Sequence, residues 1–272
     1  MNFAALLVTV YGLADSKRFE PRVTFKELFP WIDWLAAQFE AVSGPFYYFF
    51  VALTFVFLVL AGMLVAGYEI QVFPRPKIVK FRYKWTTRGV ATFALLTALT
   101  TIASAFGGLI YVIPGVMAVN IFYYAFMFVF PVVFGWPGIW SAPAGEILGV
   151  AIRGVLRPVH LVCGFAYDFY LGWWAWKTLG RDTSLRTAKS WILLIGVYVL
   201  YAFLQSFSWS PWFIIFGVIP MAMYMARSAF NIVWYYFFIW LYPPLLAATH
   251  ALATRYRLHW KLIEPQPYSR VQ

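Results

Sequence analysis

Apolar residues run through this chain in blocks too long for the exposed face of a soluble fold. No Asp, Glu, Lys, Arg or His occurs from Gly44 to Tyr68, from Gly89 to Gly145, from Ser190 to Ala226 or from Ser228 to Thr249. About 20 consecutive apolar residues are enough to cross a bilayer as a helix, so the pattern predicts an all-α, polytopic membrane protein with about five or six spans. A first span is expected from about Pro45 to Tyr68. Residues 89 to 134 exceed one helix and carry Pro114 and Gly115 in "YVIPGV", so two spans joined by a tight turn are expected there. Later spans are expected over residues 190 to 208 and within 213 to 249.

The N-terminal segment patterns differently. In "LFPWIDWLAAQFEAV", Leu28, Ile32, Leu35, Phe39 and Val42 recur at helical spacing, with Asp33, Ala37 and Glu40 on another face. That is the signature of a helix lying on a membrane surface. The chain therefore divides into an interfacial region, 1–44, and a transmembrane domain, 45–272. The opening "MNFAALLVTVYGLAD" lacks a basic residue before its apolar run and a clear small-residue cleavage site, and is read as uncleaved.

Two apolar blocks resemble each other. "NIFYYAFMFVFP", from Asn120, returns as "NIVWYYFFIWLYP", from Asn231. Each follows a basic segment, an apolar span, a turn and an "IP" at Pro114 or Pro220. A duplicated helical hairpin, with copies at 85–134 and 186–250, accounts for this; both copies start from a basic side, so they are parallel repeats. Five extra residues separate Pro220 from Asn231 in the second copy. Between the copies, Ser141, Gly145 and Gly149 form a small-residue stripe that lets helix backbones approach closely.

Composition sharpens the membrane assignment. The chain is 63% hydrophobic and 11% charged, where soluble domains carry about a quarter charged residues. The net charge of +11 comes from basic residues in short loops beside spans, an arrangement that sets topology and meets anionic lipid and that excludes nucleic acid as a partner. Arg75, Lys77, Lys80, Arg82 and Lys84, with no acidic residue among them, mark a cytoplasmic, lipid-contacting loop of a multi-pass protein of the cell membrane. A second basic loop around Lys177, Arg181, Arg186 and Lys189 fits the same side only if the segment 160–176 is re-entrant or pairs with the preceding helix.

Few residues offer chemistry. Asp168 stands alone among apolar neighbours, and intramembrane carboxylates commonly mark ion or proton routes. Arg227, the one charge in its apolar region, is its natural partner. Asn120 and Asn231 need hydrogen-bonding partners near equivalent ends of equivalent helices, and with Asp168 and Arg227 they form the candidate substrate-binding set. His160 and His250, at the edges of apolar segments, are alternative haem ligands; His259 falls in the polar tail. Cys163 has apolar neighbours and is expected to be inert. No phosphate-binding loop, dinucleotide glycine pattern, zinc-protease helix or nucleophile elbow occurs. The leading expectation is a non-enzymatic permease or a membrane subunit of a larger complex, with bilayer lipid, other subunits or a second copy as partners. No cofactor is favoured. A haem- or quinone-binding electron-transfer subunit, and then an intramembrane lipid enzyme using Asp168, are the alternatives.

Overall fold

A computed structural model describes residues 43–71, 76–107, 111–113, 117–118, 121–180, 183–263 and 269–270. The expected interfacial helix at 28–42, Arg75, Asn120 and the Pro114–Gly115 turn lie outside these residues, as does Arg181. The described chain is mostly helical. Helix α1 (Ser43–Val65) leads into an antiparallel hairpin of β1 (Tyr68–Gln71) and β2 (Lys77–Arg82), in which Tyr68 faces Lys80. Helix α2 (Thr87–Gly107) follows, then a small hairpin of β3 (Tyr111–Ile113) and β4 (Met117–Ala118), then α3 (Ile121–Phe134).

Helix α4 (Trp136–Ile152) begins after one residue, Gly135, whose φ of 63° is in the left-handed region that glycine tolerates. Pro137 in its first turn needs no hydrogen-bond partner for a missing N–H, so the chain reverses sharply here. Helix α5 (Pro158–Cys163), a π-helical turn (Gly164–Phe169) and α6 (Tyr170–Leu179) run on as one descending segment. Helix α7 (Ala188–Ile215) starts at a capping box, where Thr187 accepts from the Ser190 N–H. Helices α8 (Tyr224–Phe237), α9 (Tyr242–Arg255) and the short α10 (Trp260–Ile263) complete the bundle, and β5 (Ser269–Arg270) pairs with β2.

Three helices, α1, α2 and α7, are long and apolar enough to cross a membrane. That is fewer than the five or six expected. The reason is local: the β3–β4 hairpin and then Gly135 and Pro137 divide the long block 89–145, and the 3₁₀ turn Phe238–Trp240 divides the last one, leaving 14-residue pieces about 21 Å long in α3, α8 and α9. The basic loop contains the β1–β2 hairpin, and Lys77, Lys80 and Lys84 stand exposed on and beside it.

The small-residue stripe on α4 packs against α2. A Cβ on Gly145 would stand 2.4 Å from Thr100 Cβ, and one on Gly149 would stand 2.4 Å from Ser104 Cβ, so these backbones approach as closely as two helices can. The segment 160–176 pairs with the preceding helix, one of the two arrangements expected of it: α5, the π-turn and α6 pack along α4 over about 33 Å for 22 residues. Lys177, at the foot of α6, forms a 3.0 Å salt bridge with Glu69 of β1. Both basic loops therefore share one end of the bundle. Cysteines at Lys77 and Arg186, both exposed, should react with an impermeant maleimide from the same face of a sealed vesicle, and one at Leu156 from the opposite face. Labelling of Lys77→Cys and Arg186→Cys from opposite faces would contradict the arrangement.

The two similar blocks also meet. Tyr124 of α3 and Tyr235 of α8, which correspond when Asn120 is set against Asn231, touch with ring centroids 4.8 Å apart. Their places along the helices differ, however. The motif starts at the head of α3 but midway along α8, because the five extra residues after Pro220 are taken up as additional helix. Asn231, half-buried in α8, is thus not at the helix end the repeat predicted.

Candidate functional site

The interior between α2, α3, α4, α7 and the π-turn is polar where the rest of the core is aromatic. A π-turn accommodates one extra residue and is frequent at functional sites, because the bulge re-aims side chains that regular helix would direct elsewhere. Here it sets Asp168 at 0% exposure in the middle of the bundle. Its carboxylate accepts hydrogen bonds from Tyr123 Oη of α3 at 3.0 Å and from Gln205 Nε2 of α7 at 3.1 Å. Gln205 is held in turn, accepting from Trp209 Nε1 at 2.9 Å while its Nε2 also approaches the Tyr201 hydroxyl at 3.3 Å.

A second carboxylate belongs to the same site. Glu146 of α4, one residue past the glycine contact, is buried and accepts from Ser104 Oγ of α2 at 2.8 Å. Its charge acts on Asp168, and the Tyr123 hydroxyl interacts with both acids. The result is a chain of polar groups from Ser104 through Glu146, Tyr123 and Asp168 to Gln205. Two carboxylates linked by a phenol can hold one proton between them or exchange it, since like charges in a low-dielectric interior disfavour simultaneous ionisation.

Arg227 is not the counter-ion of Asp168. It is buried in α8, donates from Nη1 to Ser210 Oγ at 2.9 Å and lies 4.3 Å above the Phe213 ring. Ser210 Oγ is also 3.1 Å from Ser228 Oγ. Among the described residues no carboxylate is within ion-pairing distance of Arg227. Both buried charges have found neutral partners on α7, an outcome decided by helix rotation that hydropathy does not encode. Of the candidate set, Asp168, Arg227 and Asn231 do not form one contact cluster: Asp168 is central, Arg227 lies nearer the end opposite the basic loops, and Asn231 follows one turn after Arg227 on α8, while Asn120 lies outside the described residues.

The haem alternative fails on distance. His160 packs against Trp209 and Phe213 near the C-terminal end of α7, with ring centroids 6.0 and 6.3 Å away. His250 hydrogen-bonds with Thr183, just before the N-terminus of α7. These positions are about 30 Å apart along the helix, so the two imidazoles cannot share an iron. His250 faces His259 instead, with ring centroids 5.1 Å apart and Thr183 Oγ1 between them at 2.6 and 3.1 Å. Burial, with His250 and Lys261 nearby, lowers the pKa of His259 to about 4 and keeps it neutral near pH 7. Cys163 is fully buried in the apolar surroundings expected of it. Among the described residues no group of three or more His, Cys, Asp or Glu is placed to hold a metal ion.

Sequence reasoning singled out Asp168 but placed neither Glu146 nor Gln205 beside it. Glu146 had a usable signal: it is the only acid between Glu69 and Asp168, directly beside a glycine of the close-packing stripe. Gln205 is likewise the only side-chain amide between Ser190 and Ala226. Comparison of the chain with models of known protein families, with curated proteins and with solved structures gives no match.

Proposed function

We propose that this protein is a small proton-coupled permease of the cell membrane, in which Glu146 and Asp168 form the proton-carrying site. The observation that carries the reading is the placement of Asp168: a fully buried carboxylate set on a π-turn and hydrogen-bonded to two neutral donors, with a second buried carboxylate in its field. Burying Asp168 against neutral donors alone is expensive, and a purely structural role is met more cheaply by a neutral amide. A pair that takes up and gives back a proton as its surroundings change gives the expense a purpose. The three helices long enough to cross a membrane supply the setting. With both basic loops on the cytoplasmic side, Arg153 and Arg157 face outward.

The test is proteoliposomes loaded with a pH-sensitive dye and offered a panel of sugars, amino acids, amines and carboxylates. At least one solute should change the internal pH through the wild-type protein, and Asp168→Asn should reduce that rate at least about a hundredfold, as expected for loss of the proton-carrying group. An Asp168→Asn protein that moves protons at the wild-type rate would sink the proposal, as would a wild-type protein that moves none with any solute.

A further inference from the structure

From the environment of Arg227 we infer that the ligand of this site is a small organic carboxylate, bound as the anion by the guanidinium at the end of the bundle opposite the basic hairpin. The identity of the ligand as a transported solute rests on the permease reading; its binding does not.

Arg227 is 7% exposed, and a guanidinium stays charged in a protein. Its Nη1 is turned to Ser210, but its Nε is buried with no hydrogen-bond partner among the described residues. Buried polar atoms are almost always paired, and buried charges more strictly so. The Nε–Nη2 edge that remains has the spacing of a carboxylate, which it grips with two parallel hydrogen bonds. Phe213 fixes the plane of the guanidinium from one side, so the edge is oriented before any ligand arrives.

The surroundings are those of an anion entry. Phe213 also touches the His160 ring, and His160 lies in the combined field of Arg153, Arg157 and Arg227. Three arginines thus converge at the end where the distribution of positive loops disfavours them. Helix α4 carries Arg153 about 25 Å from Trp136, which touches Phe81 of the basic hairpin. Three cations that act together on His160, one of them a guanidinium without an acid among the described residues, raise the local concentration of anions at this end. Glu146 also feels the Arg153 charge, which couples this end of the bundle to the carboxylate pair. One arginine edge suits a monocarboxylate; phosphate, with more charge and more acceptor oxygens, calls for several converging donors. The aromatic rings of His160, Trp209 and Phe213 favour a ligand with an apolar body.

The experiment is calorimetric titration of the full-length, detergent-purified protein with sodium benzoate, with sodium phosphate as the contrast. Benzoate should bind the wild type, Arg227→Gln should weaken it at least tenfold, and Arg227→Lys should recover part of the loss. Because Arg227→Gln could disturb folding, the wild-type protein is also treated with phenylglyoxal and mapped by mass spectrometry; benzoate should protect Arg227 from modification. Absence of benzoate binding to the wild type overturns the inference, as does unchanged affinity in a well-folded Arg227→Gln. Tighter binding of phosphate than of benzoate overturns the carboxylate class. Benzoate binding without any solute-driven proton movement would leave this inference standing and remove the permease reading; proton movement without benzoate binding would do the reverse.

Discussion

Replacing Gly145 and Gly149 together by alanine should cost this protein about 3 kcal/mol, on the order of 10 °C in melting temperature. In an isolated helix the same change is favourable by roughly 0.5–1 kcal/mol per residue, because glycine loses more backbone entropy on folding. The tertiary contact reverses the sign. Each new Cβ would stand 2.4 Å from a Cβ of α2, Thr100 for one and Ser104 for the other, and part of the clash is with α2 backbone that cannot rotate away. Helices α2 and α4 must then separate, which stretches the Ser104 to Glu146 hydrogen bond and disturbs the carboxylate pair. The control is Gly62→Ala on α1, where an added Cβ meets nothing within 4 Å. Gly62→Ala should match or slightly exceed the wild type. A thermal melt in detergent showing equal effects at the two places would refute the close-packed α2–α4 contact.

The second large effect concerns Asp168 and is an asymmetry between removing its partners and removing the acid. Tyr123→Phe with Gln205→Leu strips the Tyr123 and Gln205 donors from a fully buried carboxylate, and breaking a buried charged interaction from one side costs about 3–5 kcal/mol. Adding Asp168→Leu to that pair removes the group that needed solvating, and most of the loss should return, since an apolar replacement of a whole buried polar cluster is often neutral. The triple variant should therefore melt above the double variant while carrying no protons. A triple variant less stable than the double would mean that Asp168 is held by something other than Tyr123 and Gln205.

Much of this architecture follows from local pattern. The charge-free blocks locate α1, α2 and α7 because no water-soluble packing could hide so much apolar surface. The Ser141, Gly145 and Gly149 stripe signals a close helix contact on α4, since small residues at four-residue spacing leave one face nearly bare backbone. Helix α4 is harder to read from hydropathy, because Glu146 and the glycines and prolines that its packing against α2 and α3 requires interrupt its apolar residues.

The polar interior was legible only as isolated letters. Asp168 and Arg227 stand out as lone charges in apolar surroundings, and pairing them was the simplest use of both. Whether they meet depends on which way α7 and α8 are rotated, and on a π-turn whose insertion is not marked by any residue in "GFAYDF". Likewise His160 and His250 look equivalent in the sequence, each beside an apolar segment, yet the 28 residues of α7 separate them.

By itself, then, the sequence determined the solvent, the helical class, the clustering of positive charge beside spans and the helix face that must pack closely. These depend on transfer free energies and steric size, which belong to individual residues. The tertiary structure alone decided that Glu146 joins Asp168, that Arg227 remains without an acid among the described residues, and that the histidines lie at opposite ends. Those are relations between residues up to about a hundred positions apart, set by the packing angles and rotations of helices whose surfaces are apolar nearly all round, and such surfaces carry no polar stripe to reveal which face turns inward.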